Sequence, residues 1–143
     1  MLISNSAEDT EEIGKKLGEK IVKSLPEPQV LALWGGMGMG KTAFTRGIAQ
    51  AFGIREQVSS PTFAIINEYR GENGNIFHFD MYRVNGEEDL ESIGFYEYLN
   101  KGLVVIEWSE NIKNAIPLGA INVFIEPGEN EYQRKIEIEG ITV

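Results

Sequence analysis

The stretch that most limits what this chain can fold into is "WGGMGMGKT", residues 34–42, where four glycines in nine positions run into a lysine and a threonine. The apolar run "VLALW" (30–34) leads into it, and Thr42–Phe52 follows as a predicted helix with Gly53 as its natural C-cap. Gly35, Gly40, Lys41 and Thr42 match G-x-x-x-x-G-K-[ST], and they do so between a predicted strand and a predicted helix, the setting this motif requires. The physical need is plain. Phosphate oxygens are gripped by several backbone N–H groups at once, and an inward side chain would block that approach. The helix starting near Lys41 points its positive dipole end and its unpaired N–H groups at the same anion. The candidate phosphate loop is therefore Gly35, Gly38, Met39, Gly40, Lys41, Thr42 and Ala43. Lys41 would add a full charge near the β- and γ-phosphates, and Thr42 a hydroxyl for Mg²⁺. The plain alternative is a glycine-rich turn with no ligand.

The rest of the chain reads as alternating strands and helices. Ser6–Leu25 is predicted as an amphipathic helix, with Ile13, Leu17, Ile21 and Leu25 on one face, Ser6 and Asp9 as a capping box, and Pro26 and Pro28 as its stop. Phe63–Arg70 and Asn75–Arg83 read as two strands joined by a turn at Gly71/Asn73–Gly74. Glu87–Asn100 reads as helix with a break near Gly94. "LVVIEW" (103–108) reads as a strand covered on both faces, and Ala120–Glu126 and Gln133–Glu139 as two final strands around "PGENE". The expectation is an α/β sandwich, a mixed sheet flanked by helices, of the P-loop NTPase kind. With 143 residues and no repeat, low-complexity tract or long linker, it is one domain, 1–143.

A Mg²⁺-nucleotide site also needs a carboxylate at the end of a neighbouring apolar strand. Glu107 closes "LVVI", and Asp80 competes for the role. In "IFHFDMYR", alternation puts Phe77, Phe79 and Met81 on a core face and His78, Asp80 and Tyr82 on the other. That polar row is either an ordinary sheet face or part of a site; His78, taken alone, reads as structural. Trp108 reads as packing. Ser59–Ser60–Pro61–Thr62 is either a plain turn or a loop that senses the γ-phosphate. The guanine-reading N-K-x-D segment is missing, because Leu103 stands where the aspartate would follow Asn100–Lys101, so ATP is expected over GTP.

Charge and composition narrow the function further. The chain has no cysteine and one histidine, which excludes a disulfide framework and argues against a zinc site. It has no apolar run of membrane-spanning length, and "MLISNSAEDTEE" lacks the form of a secretion signal, so the expected compartment is the cytoplasm. A net charge of −9 opposes direct binding of nucleic acid without a basic partner.

Taken in order, "LWGGMGMGKT", "SSPTF", "FHFDMYR" and "VVIEW" resemble the bacterial TsaE (YjeE) family over almost the whole chain. The resemblance implies a small P-loop fold and the ATPase component of the machinery that makes threonylcarbamoyladenosine in tRNA, weakly active alone. It implies TsaD, the transferase subunit, and TsaB as partners, with tRNA reached only through that complex. It assigns phosphate to Lys41, Mg²⁺ to Thr42 and Glu107, water or metal positioning to Asp80, and part of a switch loop to Thr62. Trp108 is similar to a family tryptophan linked to activity, and Thr10 and Arg134 resemble parts of the nucleotide pocket. The family often has an acidic residue after the first loop glycine and a small one before the last. Gly36 and Met39 stand there instead, and neither position supplies an essential donor. A small-molecule kinase and a non-hydrolysing nucleotide-binding adaptor are the competing readings.

Overall fold

The computed structural model describes residues 1–24, 29–36, 40–58, 66–84 and 86–141, with Glu87 described through its backbone alone. Among these residues the strands are β1 (Leu2–Ser4), β2 (Gln29–Trp34), β3 (Ile66–Gly71), β4 (Gly74–Asp80), β5 (Leu103–Glu107), β6 (Ile121–Pro127) and β7 (Arg134–Glu139). They form one mixed sheet in the order β1-β7-β6-β2-β5-β4-β3. β2 lies parallel to both β5 and β6, and β4 is parallel to β5. The outer pairs β3–β4, β6–β7 and β1–β7 are antiparallel. β5 is buried at all five positions, as a strand between two parallel neighbours must be.

Two regular helices cover one face: α1 (Ala7–Ser24) and α2 (Lys41–Ala51). Leu17 and Ile21 of α1 and Phe44 and Ile48 of α2 pack on Leu31, Leu33, Val105 and Val123. At the start of α1 the Asp9 N–H donates to Ser6 Oγ (3.0 Å), while the Asp9 carboxylate accepts from the Asn5 N–H (3.0 Å). The box therefore closes one residue earlier than a reciprocal Ser6–Asp9 pair would. α2 ends in a Schellman motif: Gly53 takes φ +74°, its N–H donates to the Gln50 carbonyl (3.1 Å), and the Ile54 N–H donates to Ala49 (3.0 Å). The two helices meet backbone to backbone at Gly14, Gly18 and Gly47. A Cβ on Gly47 would overlap the Glu11 carbonyl oxygen, and one on Gly18 would lie 2.8 Å from Ala51 Cβ.

The opposite face is covered by shorter pieces: a 3₁₀ turn at Glu87–Asp89, the four-residue α3 (Phe95–Tyr98), and 3₁₀ turns across Ser109–Ala115 kinked at Ile112. Aromatic rings fill the layer, with Phe79 edge-on to Phe95 (5.3 Å) and to Tyr98 (5.6 Å). Tyr98 also faces Glu68 of β3, whose carboxylate hydrogen-bonds the phenol and holds its pKa above the ordinary tyrosine value.

Several boundaries differ from the sequence reading. Residues 87–100 do break at Gly94, which takes φ +75° and caps α3 from the left-handed region, but only Phe95–Tyr98 is α-helical and Glu87–Asp89 is a 3₁₀ turn. The strand predicted over Asn75–Arg83 ends at Asp80, where its register partner Glu107 ends β5 and the Asp80 carboxylate accepts the Tyr82 N–H (2.9 Å) to turn the chain. The short edge strand β1 carries no alternation signal. Leu25, Pro26, Pro28 and residues 63–65 lie outside the described residues. No helix among the described residues is long and apolar enough to cross a membrane.

Candidate functional site

Strand register gathers the candidate residues on one edge of the sheet. β2, β4, β5 and β6 all run toward it, so Trp34, Asp80, Glu107 and Pro127 end there. β7 starts there, because Arg134 pairs with Pro127, and β1 ends there, because Ser4 pairs with Arg134. Ligands of open α/β sheets bind outside these carboxyl ends, where connections leave to opposite sides of a central strand. That happens at β2: the chain leaves it for β3, β4 and β5 on one side, then crosses to β6 on the other.

Gly35 follows β2 with φ +144°. After residues 37–39, which lie outside the described residues together with the candidates Gly38 and Met39, Gly40 takes φ +93° and opens α2. Gly40 has no side chain to cap the helix, so the first-turn N–H groups around Lys41, Thr42 and Ala43 face the site. Lys41 is only 6% exposed. Its ammonium donates to the Gly35 carbonyl (3.0 Å) and lies 4.9 Å from the centre of the Trp108 ring. A neutral carbonyl and a ring face are its contacts, so this buried cation has no carboxylate in ion-pair contact among the described residues. Burying a charge in that way is costly until an anion arrives.

Trp108 sits in the left-handed region (φ 59°), the one non-glycine among the described residues to do so. That conformation turns its ring across the site between Lys41 and Tyr82, whose ring centre is 4.9 Å away. Glu110 and Asn111, just beyond, tie the edges together. The Gly35 N–H donates to Glu110 (3.4 Å), and the Asn111 amide donates to the Met81 carbonyl (2.8 Å).

His78, Asp80 and Glu107 share the α2 side of the sheet, the side on which their strand neighbours Ile76 and Val105 pack against α1 and α2. Asp80 is half-buried. Glu107 is buried, and its Oε2 lies 2.7 Å from His78 Nε2. At the far side of the loop, Thr10 lies beside Gly40: a Cβ there would be 3.6 Å from Thr10 Cγ2. The buried Thr10 and Ser4 hydroxyls are 2.6 Å apart, and Arg134 donates to the Glu131 and Gln133 carbonyls nearby. Thr62 lies outside the described residues, while the Arg46 side chain of α2 holds the Val58 carbonyl (3.3 Å) just before that segment.

Sequence reasoning grouped His78 with Asp80 but did not pair it with Glu107. Only the parallel β4–β5 register could show that pairing. Ser4, Glu110 and Asn111 carried no motif at all.

Comparison with known proteins identifies a family and a matching fold. The TsaE family, described as threonylcarbamoyl adenosine biosynthesis protein TsaE, matches residues 4–136. The chain is similar to tRNA threonylcarbamoyladenosine biosynthesis protein TsaE of Rickettsia felis, at 39% identity over 88% of this chain and 72% of the relative. It is similar to the protein of the same name in Haemophilus influenzae, at 38% identity over 79% of this chain and 73% of the relative. The crystal structure of Bacillus subtilis YdiB superposes with a TM-score of 0.73 at 28% identity, covering 94% of this chain and 80% of that one.

Proposed function

This chain belongs to the TsaE family and is a tRNA threonylcarbamoyladenosine biosynthesis protein, and from that premise we propose that it acts as a Mg²⁺-dependent ATPase. The observation that carries the reading is the buried Lys41 ammonium at the open first turn of α2, held by a neutral carbonyl and a ring face. Polyphosphate would supply the anionic partner that the Lys41 ammonium does not find among the described residues. In this reading the α2 N–H groups and Lys41 grip the phosphates, and Gly40, with no Cβ, lets them approach.

Thr42 and Glu107 hold Mg²⁺, and their hydroxyl and carboxylate oxygens are the hard donors that ion takes. Bound there, the ion would offset the charge developing on the phosphates. Asp80, fixed through its contact with the Tyr82 N–H, orients the attacking water. Trp108 packs over Lys41, and Thr10 and Arg134 edge the nucleotide pocket. Adenine is favoured over guanine. Asn100 and Lys101 precede β5 and so lie at the opposite edge of the sheet from Glu107 and the phosphate loop.

Turnover is slow in the isolated chain, since phosphate-loop proteins without a supplied arginine or a closing partner are slow. The partners are TsaD and TsaB, and with a net charge of −9 the chain meets tRNA only through them. The test follows phosphate release from ATP by the purified chain alone and with the purified TsaD–TsaB pair, with association read by light scattering. Slow release that rises with the pair, together with ATP-dependent association, is expected. Phosphate appearing on a small acceptor instead would establish a kinase. Nucleotide binding without any phosphate release, with the pair present, would establish an adaptor.

A further inference from the structure

His78 is fully buried, and among the described residues its ring makes a single hydrogen bond, from Nε2 to the Glu107 carboxylate at 2.7 Å. Nδ1 is buried with no partner among the described residues. A ring chosen for packing alone would be better served by phenylalanine or leucine, because a buried polar atom left unpaired destabilises the fold. Among the described residues the imidazole also does not connect Glu107 to a second polar group, since its other nitrogen reaches none. What it does is hold one oxygen of a buried carboxylate at the end of β5, on the sheet face shared with the start of α2.

We propose that His78 is a positioning residue for Glu107, fixing one carboxylate oxygen through Nε2 so that the group keeps a single orientation toward the phosphate-loop side of the sheet. This deepens the proposed function, because it rests on Glu107 being the carboxylate that meets Mg²⁺. A carboxylate that presents an oxygen to a metal is held in place by the hydrogen bonds around it, and their loss typically weakens metal affinity about 10- to 100-fold.

The test measures ATP binding by calorimetry in Mg²⁺ and in EDTA, with thermal unfolding of each variant as the check on folding. His78→Phe keeps the ring and removes the donor. It is expected to shift the Mg²⁺ concentration that half-saturates the Mg²⁺-dependent gain in affinity about 10- to 100-fold upward, while affinity in EDTA stays within about twofold. His78→Gln, whose terminal amide reaches the place of Nε2, is expected to restore most of the loss, and His78→Asn, which falls short, is not. If His78→Phe does not fold, the Gln and Asn variants carry the comparison. In the Glu107→Gln background, His78→Phe is expected to add nothing. A folded His78→Phe or His78→Asn protein with an unchanged Mg²⁺ requirement overturns the positioning role, as does an equal loss in the Gln and Asn variants. Failure of the underlying reading looks different: Glu107→Gln itself would then leave the Mg²⁺ requirement unchanged.

Discussion

The two faces of the sheet are covered by different means. On one, α1 and α2 run for 18 and 11 residues and approach each other through glycines, so backbone sits against backbone. On the other, no described helix exceeds four residues outside the kinked 3₁₀ turns, and rings do the filling. The first face fixes where α2 begins, at Lys41, because α2 cannot shift without parting from the glycines and carbonyls of α1 that it touches. The second face is formed by the chain as it leaves β4 and β5, and those exits carry Asp80, Tyr82, Glu107 and Trp108. One covering anchors the cradle. The other delivers the groups that complete the site, through turns that depend on many small contacts.

The comparison breaks most readily at its two central rings. Phe44 on the helical face and Phe79 on the aromatic face are both fully buried. Each change to Ala is expected to cost about 3–5 kcal/mol in denaturant unfolding. A loss below about 1 kcal/mol for Phe79→Ala would show that the second face is loosely packed rather than differently packed.

Next in size is Lys41→Ala, which removes charge-assisted contacts worth about 1.5–3 kcal/mol, or about ten- to a hundredfold in ATP affinity. Calorimetry showing unchanged affinity would detach the phosphate site from the helical face altogether.

Gly47→Ala tests the backbone contact itself. With the Glu11 carbonyl in the way, about 1–3 kcal/mol of stability should be lost. Gly119→Ala, where a Cβ meets nothing within 4 Å, should stay within about 0.5 kcal/mol of the parent. Equal effects at the two positions would mean that α1 can move away from α2.

The smallest expected effect belongs to the aromatic face. Glu68 holds the Tyr98 pKa up, so the folded state keeps this proton better than the unfolded chain does. The stabilisation is therefore fully present below the ordinary tyrosine pKa and is lost as pH rises through the raised value. In Glu68→Gln the ultraviolet titration of one tyrosine should move to lower pH; an unmoved titration would separate β3 from α3.

Legibility in the sequence also divides along these faces. The α1 stripe, the glycine loop and the C-cap at Gly53 are local signals, each contained within a few residues, and the helices appear where periodicity puts them. The apolar run of β5, residues 103–106, announced its double burial in the same way. The aromatic face was read less fully: the break at Gly94 is visible in "EEDLESIGFYEYLN", but its Glu and Leu residues suggested helix on both sides of it. The left-handed Gly94 and the burial of Leu90 and Phe95 against Phe79 divide it into turns. Tertiary packing outweighed propensity there. β1 has three residues, two of them exposed apolar ones, and exists by pairing with β7 more than a hundred positions away.

From its own order of residues, then, the chain determined a glycine-rich turn of the phosphate-loop pattern between a buried strand and a helix, an alternating β4 with one polar face, and a carboxylate at the end of an apolar run. Which of these would meet was decided only in three dimensions. Placing β5 beside β4 in parallel register aligns Asp80 with Glu107 and brings His78 Nε2 to the Glu107 carboxylate, across 29 positions of sequence. Placing β5 also beside β2 carries Trp108 to the ammonium of Lys41. Periodicity is local and can be read along one segment. Register between strands is set by the hydrogen bonds and buried faces of segments distant in sequence, and no single segment contains it.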